Sequence, residues 1–189
     1  MIRICIIGEI GAGKSFFAKK FNYPVFNADY EVSKIYKKNK KCYKKIKKAL
    51  PGYEISFPIK KKELLKAILN NSDNVKKISK VVHPEVRKKL KKFIKKYSKK
   101  KYVILDIPLL IENKLNTKRD ILICIDGNKQ KIKKILKKRN NLSFKILKKF
   151  QLPIETKKKK ANFFIYNDFT TRSAKKNVKK IKKEILFNA

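Results

Sequence analysis

The first fifteen residues constrain this chain more than any other stretch. Met1 to Ile7 reads M-I-R-I-C-I-I, a β-branched apolar run that predicts a short buried strand. It breaks into Gly8-Glu9-Ile10-Gly11-Ala12-Gly13-Lys14-Ser15, which fits G-x-x-x-x-G-K-[ST] without a mismatch. Phe16 to Phe21 can then begin a helix. Strand, glycine loop and helix in this order are the context that separates a phosphate-binding loop from a chance match. Gly8, Gly11 and Gly13 carry no Cβ and can take positive φ, so successive backbone N–H groups can turn inward around an anion. The helix that follows adds the positive end of its dipole. Lys14 can reach the β- and γ-phosphates of a nucleotide, and the Ser15 hydroxyl suits the Mg²⁺ that bridges them. A nucleoside triphosphate site is the reading these residue types support. A plain glycine turn between strand and helix would need neither the lysine nor the serine.

At 189 residues the chain fits one domain with inserted lobes. No run of 18 apolar residues exists, and the N-terminal residues are strand and loop, not a secretory signal; the cytosol is the default compartment. Cys5, Cys42 and Cys124 form no metal-binding spacing, and Cys5 and Cys124 sit in apolar strands as small hydrophobes. The net charge of +40 invites a nucleic-acid reading through counterion release. Its distribution argues against a specific site. Arginine occurs only at Arg3, Arg87, Arg119, Arg139 and Arg172, the lysines spread over every helical segment, and no aromatic platform is interleaved with them. Weak nonspecific binding at low salt is expected whatever the function.

Along the chain, Tyr23 to Asp29 reads as a short strand ending in a carboxylate, and Tyr30 to about Ala49 as one lysine-rich helix. Pro51-Gly52 marks a turn, and Leu64, Leu65, Ile68 and Leu69 a helix. Asn70 to Asp73 supplies a break, followed by a helix through Val75, Ile78 and Val82. His83-Pro84 should interrupt that helix, since the residue before proline avoids helical ψ, leaving Val86, Leu90, Phe93 and Ile94 on a separate one. Tyr102–Leu110, with its acidic residue and proline at Asp106 and Pro108, and Asp120–Asp126 lack polar alternation, as parallel strands covered on both faces do. Phe163–Tyr166 is a last strand and 173–187 a final amphipathic helix. This order implies an α/β fold of three layers: a P-loop NTPase fold with a central parallel sheet, a helical substrate-binding lobe and a small lid. The expected division is a core of 1–29, 101–138 and 161–189, a lobe of about 30–100, and a lid of about 139–160.

From Ile4 to about Asn167 the chain resembles the dephospho-coenzyme A kinase family. The resemblance rests on Gly8 to Ser15, Pro24-Val25-Phe26-Asn27-Ala28-Asp29, His83-Pro84-Glu85-Val86-Arg87, Asp106-Ile107-Pro108-Leu109-Leu110-Ile111-Glu112, Arg139, Gln151 and Ile165-Tyr166-Asn167. It implies transfer of the γ-phosphoryl of ATP to the ribose 3′-hydroxyl of dephospho-CoA, with Mg²⁺ accompanying ATP. It also implies that Asp29 takes or orients the 3′-hydroxyl proton, that His83 and Arg87 belong to the substrate lobe, and that Arg139 is a lid arginine reaching ATP. Gly8, Gly11, Ala12, Gly13, Lys14, Ser15 and Phe16 then form the ATP loop, with Lys14 and Arg139 acting in catalysis beside Asp29. Asp106, Leu109 and Leu110 line the substrate side, and Ser15 and Asp106 serve the metal, the latter through water. Four positions depart from the family pattern. Asn27 stands where the first Asp of D-A-D is usual, Phe16 replaces a Thr, and Lys157 stands where an arginine is common. Ser56 to Lys60 replaces an Asp-Gly turn.

Position alone leaves some roles open. Asp29 reads equally as a helix N-cap or as the base. Asp106 reads as a Walker B carboxylate or as the cap of the turn at Pro108. His83, the only histidine, fits a structural hydrogen-bonder better than a catalyst. Two other functions fit the same residues: another small-molecule or nucleotide kinase, and a basic nucleic-acid-binding protein that keeps a P-loop. Oligomeric state is not encoded in any of these features.

Overall fold

The computed structural model describes residues 1–138 and 148–187, with the side chain of residue 138 outside that set. The chain divides into two compact units, Met1–Asn27 with Tyr97–Ala189, and Ala28–Lys96.

The first unit is built on five parallel strands, β1 (Ile2–Gly8), β2 (Val25–Asn27), β3 (Tyr102–Asp106), β4 (Ile121–Gly127) and β5 (Phe163–Asn167). Their spatial order is β2-β3-β1-β4-β5, with every described pairing parallel. The apolar runs chosen for two-sided burial are the three central strands, and β3 is buried at every residue. Because strand side chains alternate, Ile4, Ile6, Ile104, Ile123, Ile125 and Ile165 share one face. There they pack with Phe17, Ala18 and Phe21 of α1 (Lys14–Lys20) and its cap, Ile132 of α6 (Lys129–Lys138), and Ala174, Val178, Ile181 and Ile185 of α8 (Thr171–Phe187). Phe17 and Phe21 are wholly buried, each contributing about 1.5–3 kcal/mol. Helix α1 stops at Asn22, whose φ of 56° is the left-handed conformation that ends helices. Helix α7 (Ile154–Lys160) packs against β4 and β1. No described helix is long and apolar enough to cross a membrane.

The second unit is helical: α2 (Ala28–Lys38), α3 (Lys40–Ala49), α4 (Lys61–Asn70) and α5 (Asn74–Lys96). Its own core joins Ile35, Tyr36, Cys42, Ile46, Leu50, Leu64, Ala67, Ile78 and Val82. Two sequence expectations fail here. The lysine-rich stretch after Tyr30 is two helices, because the Asn39 side chain leaves the helical path and caps α3, accepting from the Cys42 N–H at 2.9 Å. The second failure is at Pro84, which does not break α5; one 23-residue helix runs through it. Proline inside a helix costs about 3 kcal/mol. Ile78 and Val82 before it and Leu90 after it are all buried on α5, so breaking the helix would expose apolar surface on both sides. The predicted strand 23–29 is likewise shorter, since Ala28 already begins α2.

Candidate active site

The sheet places several candidate residues at the carboxyl ends of its strands, where parallel α/β sheets bind ligands. Gly8 ends β1 with φ of 137°, and a Cβ there would lie 2.0 Å from the Ile125 carbonyl oxygen. Only glycine lets β1 run beside β4 and turn. Gly13 takes φ of 93° and caps α1 through its backbone alone. Its carbonyl accepts from the N–H groups of Phe16 and Phe17. The Lys14 ammonium lies over its own loop, donating to the carbonyls of Gly8 (3.2 Å) and Glu9 (2.9 Å). Ser15 and Phe16 are exposed, whereas Ala12 is fully buried.

Asp106 ends β3 in register with Ile6 and Asn27, and is 3 % exposed. Its Oδ2 accepts from the Asn27 Nδ2 at 2.6 Å. Asn27, which stands where an aspartate is usual, acts here as a donor. Two carboxylates at that spacing would repel, and the amide instead gives Asp106 a neutral partner. Leu110 is buried and Leu109 half-buried just beyond β3.

Charged groups brace the loop from the side. Glu9 pairs with Lys129 at 2.8 Å, and Lys129 reaches Asp126 at 3.0 Å. Lys158 contacts the other Asp126 oxygen at 3.1 Å. Burial works against the charged form of Asp126, yet hydrogen bonds from Lys129, the Gly127 N–H and Lys158 hold its carboxyl below the ordinary value. Burial likewise opposes the charge on Lys129, while Glu9 and Asp126 hold its pKa above normal. Burial lifts the Cys124 thiol to about 11, so it stays protonated and inert.

Lys157, which stands where an arginine is common in the family, is turned inward: its side chain is 2 % exposed and pairs with Glu112 at 2.8 Å. Glu112 also accepts from the Leu152 N–H at 3.0 Å. The acidic end of D-x-P-L-L-x-E therefore ties down the chain before α7. Asn167, quoted within the resemblance but given no role, ends β5 at 3 % exposure and donates to the Ala12 carbonyl at 2.9 Å. A buried polar residue at a strand end opposite a glycine loop was its only sequence signal. Arg3 is structural: its guanidinium makes two short bonds to Asp120.

In the helical unit, Asp29 lies in the first turn of α2, one residue inside the helix, and so is not its N-cap. A carboxylate there is favoured by the helix dipole. His83 is half-buried in α5, where burial and then the charge of Arg87 push its pKa down, keeping it neutral near pH 7. Arg87, one turn on, is exposed. Arg139 and residues up to 147 lie outside the described residues. Among the described residues no group of three or more His, Cys, Asp or Glu could hold a metal ion. Ser15 and Asp106 remain hard oxygen donors of the kind Mg²⁺ takes in ones and twos alongside phosphates.

The family model described as dephospho-CoA kinase matches residues 2–173. The dephospho-CoA kinase of Wolbachia pipientis wMel is 32% identical over 169 residues, covering 86% of this chain and 87% of that protein. Among solved structures, a Thermus thermophilus protein superposes with a TM-score of 0.77 at 25% identity, covering 98% of this chain and 97% of the other. The dephospho-CoA kinase from Campylobacter jejuni gives 0.65 at 25% identity, over 97% and 96% of the two chains.

Proposed function

The chain belongs to the dephospho-CoA kinase family, and from that premise we propose how its own residues carry the reaction. The enzyme transfers a phosphoryl group from ATP to dephospho-CoA, giving CoA and ADP. The observation that carries the assignment is the joint presence of an intact phosphate loop and the Asp106 to Glu112 segment at neighbouring strand ends of one sheet.

The loop from Gly8 to Ser15 holds the ATP phosphates with its N–H groups, and Lys14 leaves its own carbonyls to take the γ-phosphate. Phosphoryl transfer needs little covalent help from protein, so positioning and charge stabilisation carry the rate. Asp29 orients the ribose 3′-hydroxyl and accepts its proton late, because a hydroxyl pKa is far above neutrality. His83 and Arg87 contact the acceptor, with Arg87 forking onto phosphate oxygens. Arg139 stabilises charge on the transferred group. Ser15, with Asp106 through water, would hold Mg²⁺, which when bound supplies charge neutralisation between the phosphates.

The test is a panel of acceptors with Mg-ATP. Dephospho-CoA should stimulate ADP release and yield a product one phosphate heavier, while AMP, CMP, UMP and dTMP should stimulate little. Strong stimulation by a nucleoside monophosphate instead would move the chain's substrate away from the family's. No stimulation by any acceptor, with salt-sensitive DNA binding, would favour a noncatalytic role for the lysine surface.

A further inference from the structure

A loop that wraps an anion with N–H groups must send its carbonyl oxygens elsewhere, since an inward C=O offers negative charge to phosphate. Ala12 sits in the middle of the loop and is fully buried, so its carbonyl needs a donor within the protein. Asn167 Nδ2 supplies it at 2.9 Å. The other end of the same amide is also committed, because Oδ1 accepts from the Phe169 N–H at 2.8 Å. Those two partners fix which end is oxygen and which is nitrogen.

The seat for this amide is cut into both neighbouring segments. A Cβ on Gly13 would lie 2.7 Å from the Asn167 Nδ2, and one on Gly127 would lie 2.8 Å from the Asn167 carbonyl oxygen. Gly13 is therefore needed for the Asn167 amide to approach the loop, and Gly127 for the Asn167 backbone to lie beside β4. No other residue type at this position offers one donor and one acceptor at the same reach. Aspartate has two acceptors, and leucine has neither.

We propose that Asn167 is a positioning residue of the nucleotide site, holding the Ala12 carbonyl turned away from the phosphates. The proposal rests on the reading of Gly8 to Ser15 as the ATP loop. Asn167 touches no substrate; it acts through the loop backbone. Its loss weakens the binding of every nucleotide the loop cradles, ADP as well as ATP, and leaves the acceptor side alone.

Two variants test this. Asn167→Asp keeps size and the bond from Phe169, but sets an oxygen against the Ala12 oxygen. Asn167→Ala removes the donor without adding charge, and carries the test if the aspartate variant does not fold. A buried acceptor left unmade predicts a rise of roughly tenfold in the ADP Kd and ATP KM of the alanine variant, and more in the aspartate variant. The dephospho-CoA KM should stay within about twofold. Val178→Ala, at a buried α8 position, serves as the stability control: it should lower Tm without moving the ADP Kd. A purely structural Asn167 would give lower Tm with ADP affinity unchanged, and that result overturns the proposal. So does an equal loss of ADP affinity in Val178→Ala. Lys14→Ala, measured alongside, distinguishes the two levels of failure. If it keeps wild-type turnover, the loop itself has been misread; if it is impaired while the Asn167 variants bind ADP normally, only the role of Asn167 falls.

Discussion

Replacing Lys157 by methionine should cost the fold more than almost any other surface-distant lysine change in this lysine-rich chain. The ammonium is 2 % exposed and 2.8 Å from a Glu112 oxygen, and Glu112 itself is 10 % exposed. Methionine keeps most of the stem's volume, so the loss is electrostatic and not a cavity. It leaves a largely buried carboxylate with the Leu152 N–H as its described remaining donor. Breaking a buried pair from one side costs about 3–5 kcal/mol, because the surviving charge has been desolvated for nothing. The slight exposure of Glu112 admits some water, which places the expected loss near the lower end, about 3 kcal/mol. For a chain of this size that is a Tm drop of about 6–12 °C. Lys157→Met with Glu112→Leu removes both charges and should recover most of the loss, since the pair's attraction largely offsets its own desolvation. With no tryptophan in the chain, far-UV circular dichroism during urea unfolding is the suitable probe. A single variant within about 0.5 kcal/mol of wild type would refute the reasoning, as would a double variant less stable than either single one.

Gly8→Ala should destabilise by at least about 3 kcal/mol or fail to fold, because its Cβ would meet the Ile125 carbonyl at 2.0 Å with φ positive; a urea midpoint near wild type would contradict that. Asp29→Asn should reduce phosphoryl transfer by about 10²–10⁴-fold with ADP affinity kept, and near-normal single-turnover transfer would send the search for the base to Asp106. The lowered Asp126 pKa makes a pH prediction. The folded carboxyl binds its proton less readily than the unfolded one, so its stabilisation is present above the ordinary value of 3.8 and disappears as pH falls through the lower folded value. Asp126→Asn should therefore flatten the acid side of the stability profile, and an unchanged acid limb would show that the Lys129 and Lys158 contacts contribute nothing.

What the sequence determined by itself was what depends on neighbours along the chain. The phosphate loop is a contiguous motif whose glycine, lysine and serine requirements come from local backbone geometry. The apolar runs at 4–7, 102–105 and 121–125 declare buried strands because the residues on both faces are hydrophobic. The resemblance that carried the family did so through short contiguous words. What the tertiary structure alone decided were choices between local preference and distant packing. Pro84 favours a break, yet buried contacts at Ile78, Val82 and Leu90 keep one helix. Asn27 reads as a missing charge until β2 lies beside β3 and its amide meets Asp106. Lys157 reads only as a lysine standing where an arginine is common, and the packing of α7 on β1 and β4 is what buries it against Glu112. Asn167 stands 155 residues from the carbonyl it holds. Pairings of that kind are set by strand order, β2-β3-β1-β4-β5, which no local pattern encodes. Hydrogen-bond partners become definite only when the sheet has fixed which strand ends are neighbours.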